Sequence, residues 1–341
     1  MAIQKFTVSR DDTIFEAWPD MIQTKGGKLI CVFSECTAHS DRDNSRLVIC
    51  ESLDRGRTWS EKKPLTEKGT KTDFFNNARI SKLRDGSLAI ICDRIKGDEN
   101  SSSELYMWYS DEEGENWQEP IRLPFCGIVP DKLLQLKCGR LIIAAHFKNA
   151  ESSKLEQYLW YSDDNGQSWS DRVTVAAHPD YNLCEASILE CENNTLIAFL
   201  RENSFKGYDI MKAISHDNGE TWQGVYNTPI CGGHRPTAGF LKDGRVLITH
   251  RYIPSGGNNM QNVCAALMYG EDLQLTDRGA QRIRIMPLDY DRNPVPDLGY
   301  TGWTQFEDGE IYVVNYIKDD SEKAYIRGYS FYPGDMVLGE V

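Results

Sequence analysis

No stretch of this 341-residue chain approaches the roughly 18–20 consecutive apolar residues that a membrane-spanning helix needs. Residues 1–10 lack the apolar run of a signal peptide, so a cytoplasmic location with no membrane partner is expected. Basic residues are in deficit: 38 Lys and Arg stand against 51 Asp and Glu, a net charge of −13. That excludes the extended basic footprint of a non-specific nucleic-acid binder. The 10 Cys include no C-x-x-C pair, and neither a P-loop nor a dinucleotide-binding fingerprint is present. His234 and His250 stand at no metal-ligand spacing, so neither a cofactor nor a catalytic metal is expected. Cys31 and Cys92 lie inside apolar runs and read as reduced core thiols. Apolar residues at 40% and aromatics at 11% supply a real core.

The tryptophans reveal a repeat. Ser52-Leu53-Asp54-Arg55-Gly56-Arg57-Thr58-Trp59 returns as residues 110–117, 162–169 and 215–222, with the Trp positions 58, 52 and 53 residues apart. The shared pattern is Ser-x-Asp-x-Gly-x-Thr-Trp; Glu112 takes the place of the Asp in the second copy, and Asn116 and Ser168 replace the Thr. Asp folds back onto nearby backbone donors, Gly supplies a positive φ, and Trp packs the turn onto a sheet. These Asp residues are expected to hold turns and to do no chemistry.

A second element repeats out of phase with the first. Turns at Gly26-Gly27, Asp85-Gly86, Cys138-Gly139, Asn193-Asn194, Asp243-Gly244 and Asp308-Gly309 are each followed by an apolar strand. Those strands are expected at 28–33, 87–92, 140–145, 195–200, 245–250 and 310–315. Six such units without helical periodicity predict an all-β, six-bladed β-propeller of four-stranded antiparallel sheets, one domain spanning residues 1–341. The last unit has room for three strands, and residues 5–8 are expected to close the ring as its outer strand.

The six turns also serve as a ruler. Nine residues before them stand Trp18, Asn77, Pro130, Glu185, Arg235 and Tyr300; seven residues after them stand Ser34, Asp93, His146, Arg201, Arg251 and Tyr316. Equivalent positions in converging first strands form rings at one mouth, and these rings gather acids, cations and tyrosines.

Four Asp-boxes in a six-unit all-β chain resemble the sialidase (neuraminidase) superfamily, whose BNR repeats are of this kind. The resemblance covers essentially the whole chain. It implies an exo-acting, retaining glycoside hydrolase with a Tyr nucleophile, an assisting Glu, an Asp acid/base and an Arg clamp for the substrate carboxylate. Tyr suits an anionic sugar, which would repel a carboxylate nucleophile. By that resemblance Tyr300, in Gly299-Tyr300-Thr301-Gly302-Trp303, is the nucleophile and Glu185 assists it. Asp41, in His39-Ser40-Asp41-Arg42-Asp43, is the acid/base, with Asp43 as the fallback. Arg201 and Arg251 bind the carboxylate through planar forks. The first clamp Arg is missing, since Ala17 stands there in Glu16-Ala17-Trp18-Pro19. Arg79 and Arg235 on neighbouring first strands are candidates to restore the charge, Trp18 to stack on a sugar ring, and Asp93 and His146 to line the site. The expected partner is a carbohydrate with a terminal acidic sugar. Two alternatives stay open: a two-carboxylate exo-glycosidase resembling exo-arabinanases, pairing Glu185 with Asp20, Asp93 or Asp131, and a non-catalytic glycan-binding propeller.

Overall fold

The computed structural model describes residues 3–97, 102–255 and 260–336. Their contacts group the chain into two units, Met1–Lys132 with Tyr290–Val341, and Leu133–Asp289. The first unit contains sheets that begin with Phe15–Gln23, Asp73–Lys82 and Leu298–Gln305; the second contains sheets that begin with Leu134–Gln135, Leu183–Glu190 and Gly233–Phe240. Each sheet has four strands, and the strands pair antiparallel. Five sheets add their strands in chain order. In the sixth, Gln4–Ser9 pairs with Tyr325–Phe331, Gln4 opposite Ser330 and Phe6 opposite Gly328. These are the six blades of the expected β-propeller, with the N-terminal strand completing the last one.

The second strand of each blade follows its turn as expected. Leu29–Cys36 and Leu196–Glu202 are buried along their whole length, because a blade is covered on both faces by its neighbours. In the first unit Ile30, Val32 and Ile49 of one blade meet Ile80, Ile90 and Trp108 of the next. In the second, Ile197 and Phe199 meet Val246, Ile248 and Ala266. Each such side chain contributes about 1.5–3 kcal/mol on burial. All ten cysteines are free thiols; Cys31, Cys36, Cys50, Cys92, Cys184 and Cys264 are buried, whereas Cys126, Cys138 and Cys231 are exposed.

The four boxes connect the third to the fourth strand of their blades. In the first, Ser52 Oγ donates to Asp54 Oδ1 (2.8 Å), which also accepts from Thr58 N–H (2.9 Å), while Thr58 Oγ1 donates to Asp54 Oδ2 (2.6 Å). The Trp59 indole donates to the Gly56 carbonyl at 3.1 Å. Gly56 has φ +80°, and a Cβ there would lie 2.3 Å from the Tyr312 ring, so both the turn and the packing demand glycine. The second box corrects the sequence reading. Asp111 rather than Glu112 accepts from the N–H groups of Glu113 and Glu115 and from the Asn116 amide. The longer Glu112 instead reaches Lys25 at 2.8 Å.

The first strands share a further repeated feature. In five of them two residues face one on the second strand, a β-bulge. The extra pairs are 18–19, 77–78, 185–186, 235–236 and 300–301. The first residue of each pair is left-handed: Trp18 (φ 56°), Asn77 (47°), Glu185 (49°), Arg235 (51°) and Tyr300 (54°). The residue just before each bulge pairs with the second ruler position: Ala17 with Ser34, Asn76 with Asp93, Cys184 with Arg201, His234 with Arg251 and Gly299 with Tyr316. Before the short strand Leu134–Gln135 the left-handed residue is Val129 (φ 48°), one place earlier than the expected Pro130. A proline ring fixes φ near −65° and cannot enter that region.

The same device bonds blade to blade within each unit. Asp20, two residues past the bulge at Trp18, accepts from Ile80 N–H (2.9 Å), three past Asn77. Ser187, two past Glu185, accepts from Ala238 N–H (3.0 Å), three past Arg235. Gly302 lets its strand approach closely, since a Cβ there would meet Asp20 Oδ1 at 2.3 Å.

The box carboxylates are tested most directly at Asp54. Its carboxyl is lowered from the ordinary 3.8 to about 2, chiefly by the Thr58 hydroxyl and N–H. The folded value lies below the ordinary one, so the stabilisation is present above about pH 4 and is lost as pH falls towards 2. Asp54→Ala should lower stability by about 1 kcal/mol, or roughly 2–4 °C in Tm, and leave ligand binding unchanged. Thermal scans at neutral and acid pH check both the deficit and its disappearance in acid.

Candidate active site

In the first unit the ruler residues Trp18, Asp93, Tyr300 and Tyr316 gather around a side chain that was not singled out from sequence. Trp18 is 2% exposed, and its ring lies 6.0 Å from Tyr316, itself 6.5 Å from Tyr300. The guanidinium carbon of Arg42 sits 3.6 Å from the Trp18 ring centroid. His39 packs edge-on against Trp18 at 5.3 Å and bonds Asp297 Oδ2 through Nδ1 at 2.8 Å. Tyr316 donates its hydroxyl proton to Asp297 Oδ1, also at 2.8 Å. Trp18 is therefore not the open stacking platform expected from sequence, because Arg42 occupies its face.

Asp93 is 1% exposed, and neither carboxylate oxygen has a hydrogen bond of good geometry. Burial raises its carboxyl to about 6, against the opposing influence of its own N–H, that of Val129, Arg42 and Asn76. Asp41 occupies the turn closed by the Ala38 and Asp41 backbones; its side chain is one-third exposed and lies 3.5 Å from Lys71. Asp41 Oδ1 also accepts from the Asp43 N–H at 3.2 Å. Arg79 is buried between blades, 3.5 Å from Asp20 and donating Nη1 to the Thr301 carbonyl at 3.3 Å. Asp20 is further paired with Lys132 at 3.0 Å. Arg79 is thus held by contacts to two other blades.

The second unit gathers Glu185, Arg201, Arg235, Arg251 and His146, all less than 9% exposed. Arg201 Nη1 donates to both Glu185 oxygens at 3.0 Å, fixing the carboxylate. The Glu185 N–H donates to His146 Nδ1 at 3.4 Å. Burial, with Arg235 and Arg201, presses His146 down to about 4 despite the pull of Glu185. His234 was also not singled out as a site residue; burial and the charges of Arg201 and Arg251 hold it to about 2. Both imidazoles are neutral, so the fixed positive charge here belongs to arginine.

Comparison with known proteins extends these observations. Residues 27–256 match the BNR repeat-like domain family. A stretch of 134 residues is 31% identical to the anhydrosialidase of the leech Macrobdella decora; it covers 35% of this chain and 16% of that protein's length. A Dyadobacter fermentans protein of unknown function superposes with a TM-score of 0.80 at 21% identity, covering 96% of this chain and 98% of that one. The intramolecular trans-sialidase from Ruminococcus gnavus, in complex with oseltamivir carboxylate, gives 0.71 at 14% identity with 96% of each chain covered. An α-L-arabinofuranosidase from Fusarium graminearum gives 0.66 at 12% identity, covering 98% of this chain and 99% of that one. At such identities the structural likenesses establish the fold alone. The family match spans more than half of the sequence, and the chain belongs to the BNR repeat-like domain family.

Proposed function

We propose that this protein is a retaining exo-glycosidase that releases a terminal acidic sugar. The observation that carries the reading is the left-handed φ of Tyr300, Glu185 and Arg235, each at the bulge of its first strand. A non-glycine residue there costs about 1–2 kcal/mol, and such strain persists where a side chain has work to do. In the proposed reaction Glu185 takes the Tyr300 phenol proton and the phenolate attacks the anomeric carbon. The glycosidic bond breaks as Asp41 gives its proton to the leaving oxygen. Water then displaces Tyr300, Asp41 taking the water's proton and Glu185 returning its proton to the departing phenolate, and the sugar leaves with retained configuration. Arg201 holds Glu185 in place, and Arg251 and Arg235 contribute positive charge for the anion.

A second reading, a two-carboxylate glycosidase, is favoured by one observation. Of the three acids that could pair with Glu185, Asp20 is engaged by Lys132 and Ile80, whereas Asp93 is buried with its carboxyl raised to about 6. A carboxyl in that range is poised to deliver a proton near neutral pH.

A chromogenic panel of sialosides, Kdn-type, uronic and arabinofuranosyl glycosides separates the two. Tyr300→Phe should lower kcat by roughly 10³-fold or more with near-UV circular dichroism unchanged; full activity in that variant overturns the Tyr mechanism. Activity that survives Tyr300→Phe but is lost in Glu185→Gln and Asp93→Asn selects the two-carboxylate route.

Asp93 also makes a prediction that does not depend on turnover. Its folded value lies above the ordinary 3.8, so ionisation opposes folding and stability falls as pH rises from about 4 to about 6. Asp93→Asn removes this titration. The stability difference between the proteins should shift towards the variant by at most roughly 3 kcal/mol across that window. Urea denaturation at several pH values measures it, and a flat difference contradicts the raised value.

A further inference from the structure

Ala17 removes one cation from the position where the resemblance places the first clamp residue, and Arg79 is committed to Asp20 and the Thr301 carbonyl. Arg42 is differently placed. It lies in the loop between the strands Leu29–Cys36 and Arg46–Ser52, and its guanidinium folds back over Trp18, the residue next to Ala17. The guanidinium carbon is 3.6 Å from the Trp18 ring centroid and 5.9 Å from that of Phe74. Its Nη1 is enclosed from solvent and has no hydrogen-bond partner. Among the described residues no carboxylate lies within the 4.0 Å of an ion pair with it.

A guanidinium in this setting is costly to keep. Burial lowers its pKa, opposed by Cys36, Asp93, Tyr300 and Tyr316, which lie within electrostatic reach. Asp93 does not neutralise it at close range, and burial drives that carboxyl towards its uncharged form. The guanidinium lies over the indole, and a planar guanidinium fork can give a planar carboxylate two parallel hydrogen bonds. Cys36, Tyr300 and Tyr316 lie within electrostatic reach besides Asp93, and the enclosed Nη1 has no hydrogen-bond acceptor among the described residues, so a ligand carboxylate can supply one.

We infer that Arg42 is a specificity-determining residue that binds the anionic group of the sugar, a loop-borne replacement for the strand-borne cation lost at Ala17. This rests on the glycosidase reading above and names the residue that selects its acidic substrate. Arg42 lies within electrostatic reach of Tyr300, so the accepted anion is a carboxylate carried on the ring held near Tyr300. Trp18 acts as the platform that positions the guanidinium.

Isothermal titration calorimetry on the full-length protein tests this with N-acetylneuraminic acid and galacturonic acid as acidic probes and galactose as the neutral one. The wild type should bind at least one acid in preference to galactose. Arg42→Gln should weaken that acid by about 10- to 100-fold and leave galactose unchanged. Arg42→Lys, which keeps the charge but loses the fork, should recover part of the loss; it also serves if the Gln variant fails to fold by near-UV circular dichroism. Equal acid affinity in wild type and both variants overturns the inference, as does a wild type that prefers galactose. The two proposals fail separately. Full turnover in Tyr300→Phe with acid binding lost in Arg42→Gln removes the Tyr mechanism and keeps the Arg42 assignment. Turnover lost in Tyr300→Phe with an unchanged acid-to-neutral kcat/KM ratio in Arg42→Gln does the reverse.

Discussion

A left-handed bulge in the first strand of the blades is the constraint on which the rest of the site depends. Each bulge sets two residues against one and turns the first of them out of the ladder. Glycine is the residue that such a position favours, yet the chain places Trp, Asn, Glu, Arg and Tyr there. The ladder resumes two residues later, where the neighbouring blade binds on: Asp20 and Ser187 each accept a main-chain N–H from the next first strand. Strain and its compensation therefore come as one repeated unit. The blade-to-blade bonds hold the bulge open, and the bulge presents a side chain that an ordinary strand would bury in the sheet.

Architecture and chemistry are divided between two repeats that run out of phase. The Asp-boxes use short carboxylates and hydroxyls in local bonds of 2.5–2.9 Å, as at Asp54 and Asp164, and those acids bond the residues of their own turns. The ruler positions hold buried groups whose partners come from other segments of the chain, as with Arg201 on Glu185 or Tyr316 on Asp297. Box carboxyls are pushed down because hydrogen bonds favour their charge at the surface, whereas Asp93 is pushed up because burial opposes it. The same residue type thus reads as a staple or as an acid according to its repeat.

Much of this was legible in the sequence because it depends on spacing. The blades and the closing strand follow from turns at regular intervals and an apolar run after each. The failures came where one residue's covalent chemistry overrides the period. Proline at 130 cannot take a positive φ, so the bulge residue moved back to Val129. Glu112 is a methylene too long for the box, so Asp111 took over. Arg42 and His39 escaped notice for a different reason: they belong to a loop with no repeat, and only folding brings them over Trp18. Their signal was present as a lone cation between Asp41 and Asp43, masked by the acids on either side.

The net negative charge of the whole chain and the buried arginines of its second unit are compatible on physical grounds. A net −13 is distributed over a surface where box and turn carboxylates are solvated or locally bonded and screened within about a Debye length. In the second unit Arg201, Arg235 and Arg251 are buried, as is Glu185, and burial with the neighbouring arginines holds His146 and His234 well below the ordinary histidine value. A histidine would lose its charge in such a place, whereas a guanidinium keeps it, which is why the cations held out of water here are arginines. The same argument applies to Arg42 in the first unit. Where the resemblance would place a strand arginine the chain has Ala17, and the loop that crosses the adjacent Trp18 carries the arginine proposed to act in its stead.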